Sequence, residues 1–151
     1  MESLLIYGAY GNTGERIARA AAERGHTPVL AGRNPGRLHS LAADLDCRSR
    51  TFALDGRIER QLAGIETVLN CAGPFEKTAD PLVEACLNRG VDYLDITGEL
   101  PVFERLARRD EQARRAGTTL LPGVGFDVVP TDCLAAHLAG RHRSEEHTSE
   151  L

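Results

Sequence analysis

Three glycines near the start of the chain have the types and spacing of an anion-binding turn. Gly8, Gly11 and Gly14 follow the apolar run Leu4–Tyr7 and precede a segment in which alanine and isoleucine recur at helical spacing. The first glycine can take a tight turn off a strand, the second lets the backbone approach a diphosphate, and the third lets the helix lie close to the strand. The predicted residues of this dinucleotide-binding turn are Gly8, Tyr10, Gly11, Asn12, Thr13 and Gly14.

The spacing is the G-x-x-G-x-x-G variant, because Ala9 and Tyr10 separate the first two glycines where the strict fingerprint has one residue. Its placement between a strand and a helix supports the prediction, since the helix N-terminal amides would then face the anion.

The end of the second apolar run distinguishes NADP from NAD. An NAD-preferring site carries an acidic residue there, which accepts from the ribose 2′-hydroxyl. This chain has Gly32 and Arg33 instead. Because arginine is always charged and forks onto phosphate, Arg33, helped by Arg37, predicts a site for the 2′-phosphate of NADP. The alternative is a solvated arginine before a helix that Asn34 caps and Pro35 begins.

Strand-like runs alternate with helical stretches along the remaining chain, which predicts a parallel sheet built from right-handed crossovers. Strands are expected at residues 4–7, 28–31, 50–54, 67–70, 93–96 and 118–121. Helices are expected at residues 13–24, 35–44, 59–62, 80–88, 101–116 and 131–138. Six such strands predict the doubly wound order 3-2-1-4-5-6 of the α/β Rossmann fold, with the cofactor at the switch point between the first and fourth strands.

The loops that follow the fourth, fifth and sixth strands should meet the glycine turn at one edge of the sheet. After the fourth strand, small residues let the chain pass close to the ribose and nicotinamide, and Phe75 could pack against the nicotinamide. The cofactor-binding residues predicted in this loop are Ala72, Gly73, Pro74 and Phe75. Four acidic residues near the later strand ends are candidate proton donors or substrate anchors: Asp95, Glu99, Asp127 and Asp132. The alternative is that Asp95 and Glu99 cap loop amides and that Asp127 or Asp132 braces the turn into the last helix. No catalytic residue is assigned.

Five motifs, taken in order, resemble the NADP-binding domain of the saccharopine dehydrogenase family. They are GAYGNTG (8–14), AGR (31–33), AGPF (72–75), YLDITGE (93–99) and GFDVVP (125–130). The resemblance covers about residues 4–138 and is strongest to the bacterial saccharopine dehydrogenase-like and trans-acting enoyl reductase-like branch.

The resemblance implies an NADP-dependent oxidoreductase that transfers hydride between NADP(H) and a small-molecule or lipid substrate. Family members follow the Rossmann domain with a substrate and dimerisation domain, so a homodimer formed through that further domain is expected. We expect the cofactor domain alone to turn nothing over. Kinship at the level of fold does not choose the substrate.

Two other functions share part of this sequence pattern. Short-chain dehydrogenases and sugar-nucleotide epimerases share the glycine variant, but they need a tyrosine followed four residues later by lysine. None of the three tyrosines meets that requirement, and Lys77 is the only lysine. A non-catalytic sensor that binds NADP remains the alternative.

Composition excludes several further classes. A net charge of −4 over 151 residues predicts neither a nucleic-acid partner nor a membrane surface. The sequence has no apolar run long enough for a membrane span and no basic-then-apolar leader, so a cytoplasmic location is expected. No C-x-x-C pair occurs, and the histidines lack partners at metal spacing, so no metal site is predicted. The four cysteines are Cys47, Cys71, Cys86 and Cys133.

The end of the chain differs in character from the rest. Residues 143–151, RSEEHTSEL, match the translation of a common sequencing-library adapter, so we expect them to be a non-native tail. The predicted dinucleotide-binding domain is therefore residues 1–141, and the natural chain is expected to continue into the substrate domain.

Overall fold

The computed structural model describes residues 4–146, with side chains as far as residue 141. Of the predicted non-native tail, residues 147–151 lie outside the described residues, and the boundary at residue 141 stays a prediction. Within residues 4–146 the chain forms six strands: β1 (Leu4–Tyr7), β2 (Val29–Gly32), β3 (Ser49–Thr51), β4 (Thr67–Asn70), β5 (Asp92–Asp95) and β6 (Leu120–Leu121).

All six strands are parallel and lie in the order β3-β2-β1-β4-β5-β6. This confirms the predicted doubly wound sheet and places its switch point between β1 and β4. In the register of that central pair, Tyr7 lies beside Asn70, so both strands end at the same level.

Both faces of the sheet are covered, as the alternation of side chains along β1 requires. Leu5 and Tyr7 point into the larger core cluster, with side chains of helices between β3 and β6, whereas Ile6 joins the cluster formed with the first two helices. The Leu5, Ile6 and Tyr7 side chains are all essentially excluded from solvent. Burial on two faces explains why this strand is continuously apolar.

The described residues form seven helices: α1 (Asn12–Glu23), α2 (Pro35–Asp44), α3 (Ile58–Gln61), α4 (Phe75–Arg89), α5 (Leu100–Ala107), α6 (Asp110–Ala116) and α7 (Val129–Glu146). The helix expected at residues 35–44 has the predicted bounds and the predicted cap, because Asn34 Oδ1 accepts a hydrogen bond from Arg37 N at 3.0 Å. None of the helices within the described part combines the length and apolar character needed to cross a bilayer.

The expectation for α4 was wrong at its N-terminus. The helix begins at Phe75, not near residue 80, so Pro81 lies inside the helix instead of near its start. Its first amides are held by a carboxylate from another part of the chain, described below. A sequence signal for a helix start is local, and this cap is not.

The single helix expected over residues 101–116 is two helices, α5 and α6. The bend at their junction brings Arg109 Nη1 within 2.6 Å of Glu84 Oε2 on α4. The mixed charges of this region form i,i+4 ion pairs on exposed faces, for example between Arg114 and Asp110.

Candidate functional site

Two of the three glycines in the turn, Gly8 and Gly14, lie where a side chain would not fit. Gly8 has a φ of +81°, and a Cβ placed on it would lie 2.9 Å from the Ala72 Cβ atom. A Cβ on Gly14 would lie 2.3 Å from the carbonyl oxygen of Gly8. The turn off the strand and the close approach of α1 are therefore as the glycine pattern predicts.

Gly11 is the glycine that leaves space beside the turn. A Cβ on it would meet only the Gly8 carbonyl oxygen, at 3.2 Å, within 4 Å. The first backbone bond of α1 runs from Glu15 N to Gly11 O at 2.9 Å, and no described side chain caps the helix. The amides of Asn12, Thr13 and Gly14 are thus without an intrahelical partner. Such amides fit a diphosphate.

A cavity of about 220 Å³ adjoins the turn. It is lined by Tyr7, Gly8, Tyr10, Gly11, Gly32, Arg33, Cys71, Ala72 and Gly73. The lining joins the glycine turn to the residues that follow β2 and β4, which are the predicted cofactor residues on either side of the switch point.

A second cavity of about 330 Å³ shares Tyr7, Arg33, Ala72 and Gly73 with the first. Its other lining residues are Ala53, Leu54, Asp55, Pro74, Lys77 and Thr78. The cofactor residues predicted from the sequence include neither the segment 53–55 nor the pair Lys77 and Thr78. The segment 53–55 follows β3, and the rule that ligands lie beyond the carboxyl ends of strands would have found it.

Arg33 is exposed and lines both cavities. Its predicted helper, Arg37, is engaged elsewhere. The Arg37 guanidinium lies 4.9 Å from the centre of the Tyr10 ring, and its Nη2 donates to the Tyr10 carbonyl oxygen at 2.9 Å. Arg33 is therefore the arginine that the structure presents to the cavities.

A buried hydrogen-bond network supports the loop that follows β4. Asn70, fully buried, accepts from Ala72 N at 3.0 Å and donates to the hydroxyls of Thr78 and Tyr93, each at 3.1 Å. The Tyr93 hydroxyl donates to Asp95 Oδ2 at 2.9 Å. Burial is the main reason that the pKa of Tyr93 is raised, so this hydroxyl stays protonated as a donor.

The network continues into the loops that follow β5 and β6. The other carboxylate oxygen of the buried Asp95, Oδ1, accepts from Thr97 N at 3.0 Å and from Gly123 N at 2.9 Å. The Thr97 hydroxyl then accepts from Glu99 N at 3.0 Å. Asp95 is therefore a carboxylate that holds loop amides, which is one of the roles predicted for it.

Glu99 is the carboxylate that caps α4. Its two oxygens accept from the amides of Phe75 and Glu76, at 2.8 Å and 2.7 Å. This contact ties the loop after β5 to the start of α4, which follows the loop after β4. The Phe75 ring packs against the larger core cluster, and Phe75 is among the lining residues of neither cavity.

Asp127 and Asp132 line neither cavity. Asp127 and Asp132 are exposed at the start of α7, where the Thr131 hydroxyl donates to the Asp127 carbonyl oxygen at 2.7 Å. Cys71 lines the first cavity, but burial raises the pKa of its thiol to about 12, so it is not a reactive thiolate. No cluster of three or more potential metal ligands occurs within the described residues.

The sheet order, the glycine turn at the switch point and the free amides of α1 together define a Rossmann-type dinucleotide-binding domain. The family model for the saccharopine dehydrogenase NADP-binding domain matches residues 4–121. The chain belongs to this family, and NADP is the cofactor of the domain.

Similar proteins are oxidoreductases by name. The chain is 35% identical over 148 residues to a probable mitochondrial saccharopine dehydrogenase-like oxidoreductase of Arabidopsis thaliana, a match that covers 85% of this chain and 33% of that protein. It is 31% identical over 158 aligned positions to the trans-acting enoyl reductase of Mycobacterium ulcerans, with 98% of this chain and 38% of that protein covered. The chain therefore spans about a third of the length of these curated relatives.

The fold has a counterpart among solved structures. Apo saccharopine dehydrogenase (L-Glu forming) from Saccharomyces cerevisiae superposes with a TM-score of 0.71 at 16% identity, covering 84% of this chain and 28% of that one. At this identity the match supports the fold alone.

Proposed function

We propose that the full-length protein transfers hydride between NADP(H) and a small-molecule or lipid substrate, and that this chain is its cofactor domain. The observation that carries the proposal is the three-glycine turn, whose unpaired α1 amides lie next to a cavity lined by Arg33. Family membership and the oxidoreductase names of the relatives support it.

The two cavities support separate roles for the predicted residues. Gly8 and Gly11, with the amides of Asn12, Thr13 and Gly14, hold the diphosphate. Arg33 binds the 2′-phosphate as a charged fork. The residues Tyr10, Ala72, Gly73 and Pro74 complete the site.

The position of the loop after β4 changes one part of the sequence-based interpretation. Ala72, Gly73 and Pro74 share a cavity with Arg33 and with the segment that follows β3. This placement favours contact with the adenosine half of the cofactor over the nicotinamide half. Phe75, which packs against the core, then acts by fixing the loop, not by stacking on the nicotinamide.

Bound NADP(H) would supply the hydride chemistry, and the protein would orient it and provide or accept a proton. Asp95 and Glu99 are both engaged with backbone amides, so neither is free to serve as that acid. We therefore place the proton donor, the substrate pocket and any homodimer contact in the part of the protein that relatives have beyond this chain. The relatives' names indicate two kinds of acceptor to try, a saccharopine-type amino-acid adduct and an enoyl group.

The same engagement of Asp95 and Glu99 also favours a second function, a sensor that binds NADP without turnover. The two functions separate in the full-length protein incubated with NADPH and an enoyl thioester or an imine acceptor. Oxidation of NADPH that depends on the acceptor supports the oxidoreductase. Tight binding with no oxidation by either acceptor supports the sensor.

The cofactor assignment is tested by calorimetric titration of the chain with NADPH and with NADH. We expect Arg33→Ala to weaken NADPH binding by about tenfold to about a hundredfold, since hydrogen bonds to charged groups contribute about 1.5–3 kcal/mol. NADH binding should stay unchanged. The control is Arg24→Ala, an exposed arginine that follows the other end of α1. Equal affinity of the wild-type chain for the two nucleotides would contradict the role of Arg33.

A further inference from the structure

Tyr10 connects the glycine turn to the loop that follows β2. Its hydroxyl accepts hydrogen bonds from two consecutive backbone amides, Arg33 N at 3.1 Å and Asn34 N at 3.0 Å. We propose that Tyr10 is the positioning residue for NADP selectivity, because it holds Arg33 where the 2′-phosphate binds. This inference rests on the proposed role of Arg33. It adds that Tyr10 holds the Arg33 backbone in position.

The Tyr10 ring is held in place by its surroundings. A Cβ placed on Gly32 would lie 2.5 Å from the ring atom Cε1, so the ring fills the space that a side chain would need at that position. The Arg37 guanidinium lies over the ring at 4.9 Å from its centre. A ring confined in this way keeps its hydroxyl directed at the amides of Arg33 and Asn34.

The same contacts decide which arginine is available. The Arg37 guanidinium donates to the Tyr10 carbonyl oxygen at 2.9 Å as well as covering its ring, so Arg37 is held away from the phosphate role. Arg33 has its backbone amide fixed by the tyrosine hydroxyl while its exposed side chain lines both cavities. A backbone that is already ordered removes part of the entropy cost of binding.

The effect should appear only when the ligand has a 2′-phosphate. Tyr10→Phe keeps the ring over Gly32 and removes the acceptor of both amides. We expect the Kd for NADPH to rise about fivefold, which is the effect of losing about one net hydrogen bond. The Kd for NADH should stay the same. A tyrosine that merely stabilised the glycine turn would change both constants together.

A double-variant cycle tests whether Tyr10 acts through Arg33. In an Arg33→Ala background, Tyr10→Phe should change the Kd for NADPH no further, because the residue that it positions is gone. Equal effects of Tyr10→Phe with and without Arg33 would overturn the proposal. An unchanged Kd for NADPH in Tyr10→Phe alone would also overturn it. A lower Kd would do the same, because the freed amides of Arg33 and Asn34 would then bind the phosphate themselves.

Gly32→Ala provides a second route that leaves the hydroxyl in the protein. The new methyl group must displace the Tyr10 ring, given the 2.5 Å separation, and should therefore raise the Kd for NADPH by a larger factor than the Kd for NADH. Equal loss of affinity for the two nucleotides in Gly32→Ala and Tyr10→Phe alike would overturn the role of Tyr10. Wild-type chain without any preference for NADPH would instead overturn the role of Arg33, and with it this inference.

Discussion

Of the three glycines in the turn, Gly14 has the least space for an added side chain. A methyl group there would lie 2.3 Å from the Gly8 carbonyl oxygen and 3.0 Å from the Ala9 Cα atom, and backbone cannot rotate away as a side-chain tip can. We expect Gly14→Ala to destabilise the fold by about 1–3 kcal/mol and to remove nucleotide binding, because α1 must move off the turn.

Denaturant unfolding and calorimetric titration measure the two effects. Gly140→Ala is the matched control, since a Cβ on that helical glycine meets nothing within 4 Å. A Gly14→Ala variant that kept wild-type stability and affinity would show that the close approach of α1 to the turn is not required.

The thiols of Cys71 and Cys86 make the stability of the fold depend on pH in the alkaline range. Burial raises the pKa of Cys86 from its ordinary value of 9.0 to about 12, and that of Cys71 likewise. Above pH 9.0 the unfolded chain therefore loses these protons before the folded chain does. Stability from these groups is complete below pH 9.0 and should fall as the pH rises towards about 12.

The melting temperature measured between neutral pH and pH 11 checks this expectation. Cys86→Ala should melt with a shallower dependence on alkaline pH, and Cys133→Ala, at an exposed position, serves as the control. If the melting temperature of Cys86→Ala falls at alkaline pH as steeply as that of the wild-type chain, groups other than this thiol cause the pH dependence.

At the level of elements, α4 depends on a cap from elsewhere in the chain. Glu99 accepts from the amides of Phe75 and Glu76 with both oxygens, across 24 and 23 residues of sequence. We expect Glu99→Gln to destabilise the chain by about 1–3 kcal/mol, because the amide side chain has one acceptor oxygen and turns a donor towards the second backbone amide.

Thermal unfolding together with NADPH titration checks the effect of Glu99 on the loop of Ala72, Gly73 and Pro74. Glu104→Gln is the control, because that carboxylate is exposed and pairs with Arg108 in the next turn. If Glu99→Gln behaves like Glu104→Gln, the cap does not stabilise the helix start.

This cap also shows why element boundaries were harder to predict than element order. Local signals predicted α2 correctly, since Asn34 caps it and Pro35 begins it. The start of α4 depends on Glu99, which only the folded sheet brings near, and the prediction began the helix about five residues too late. Likewise, the role of Tyr10 needs Gly32 beside it, a contact between the glycine turn and the end of β2 that the glycine pattern alone does not reveal.

At the scale of the whole molecule, apolar periodicity and the glycine turn predicted the parallel sheet and its order, because both follow from the repeated strand–helix unit. The substrate could not be predicted in this way. Relatives are about three times longer than the chain, and the exposed apolar residues near its end, such as Phe126 at 85% exposure and Leu134 at 58%, have no covering element within the described residues.

The cofactor site is tested most directly by a nuclear magnetic resonance titration that follows backbone amide signals as NADPH is added. We expect the largest shifts at Asn12, Thr13 and Gly14, with further shifts at Arg33 and Ala72. Signals from the surface of α6 should stay in place, because that helix lies away from both cavities. Shifts centred on α5 and α6, with the glycine turn unaffected, would contradict the assignment of the turn as the cofactor site.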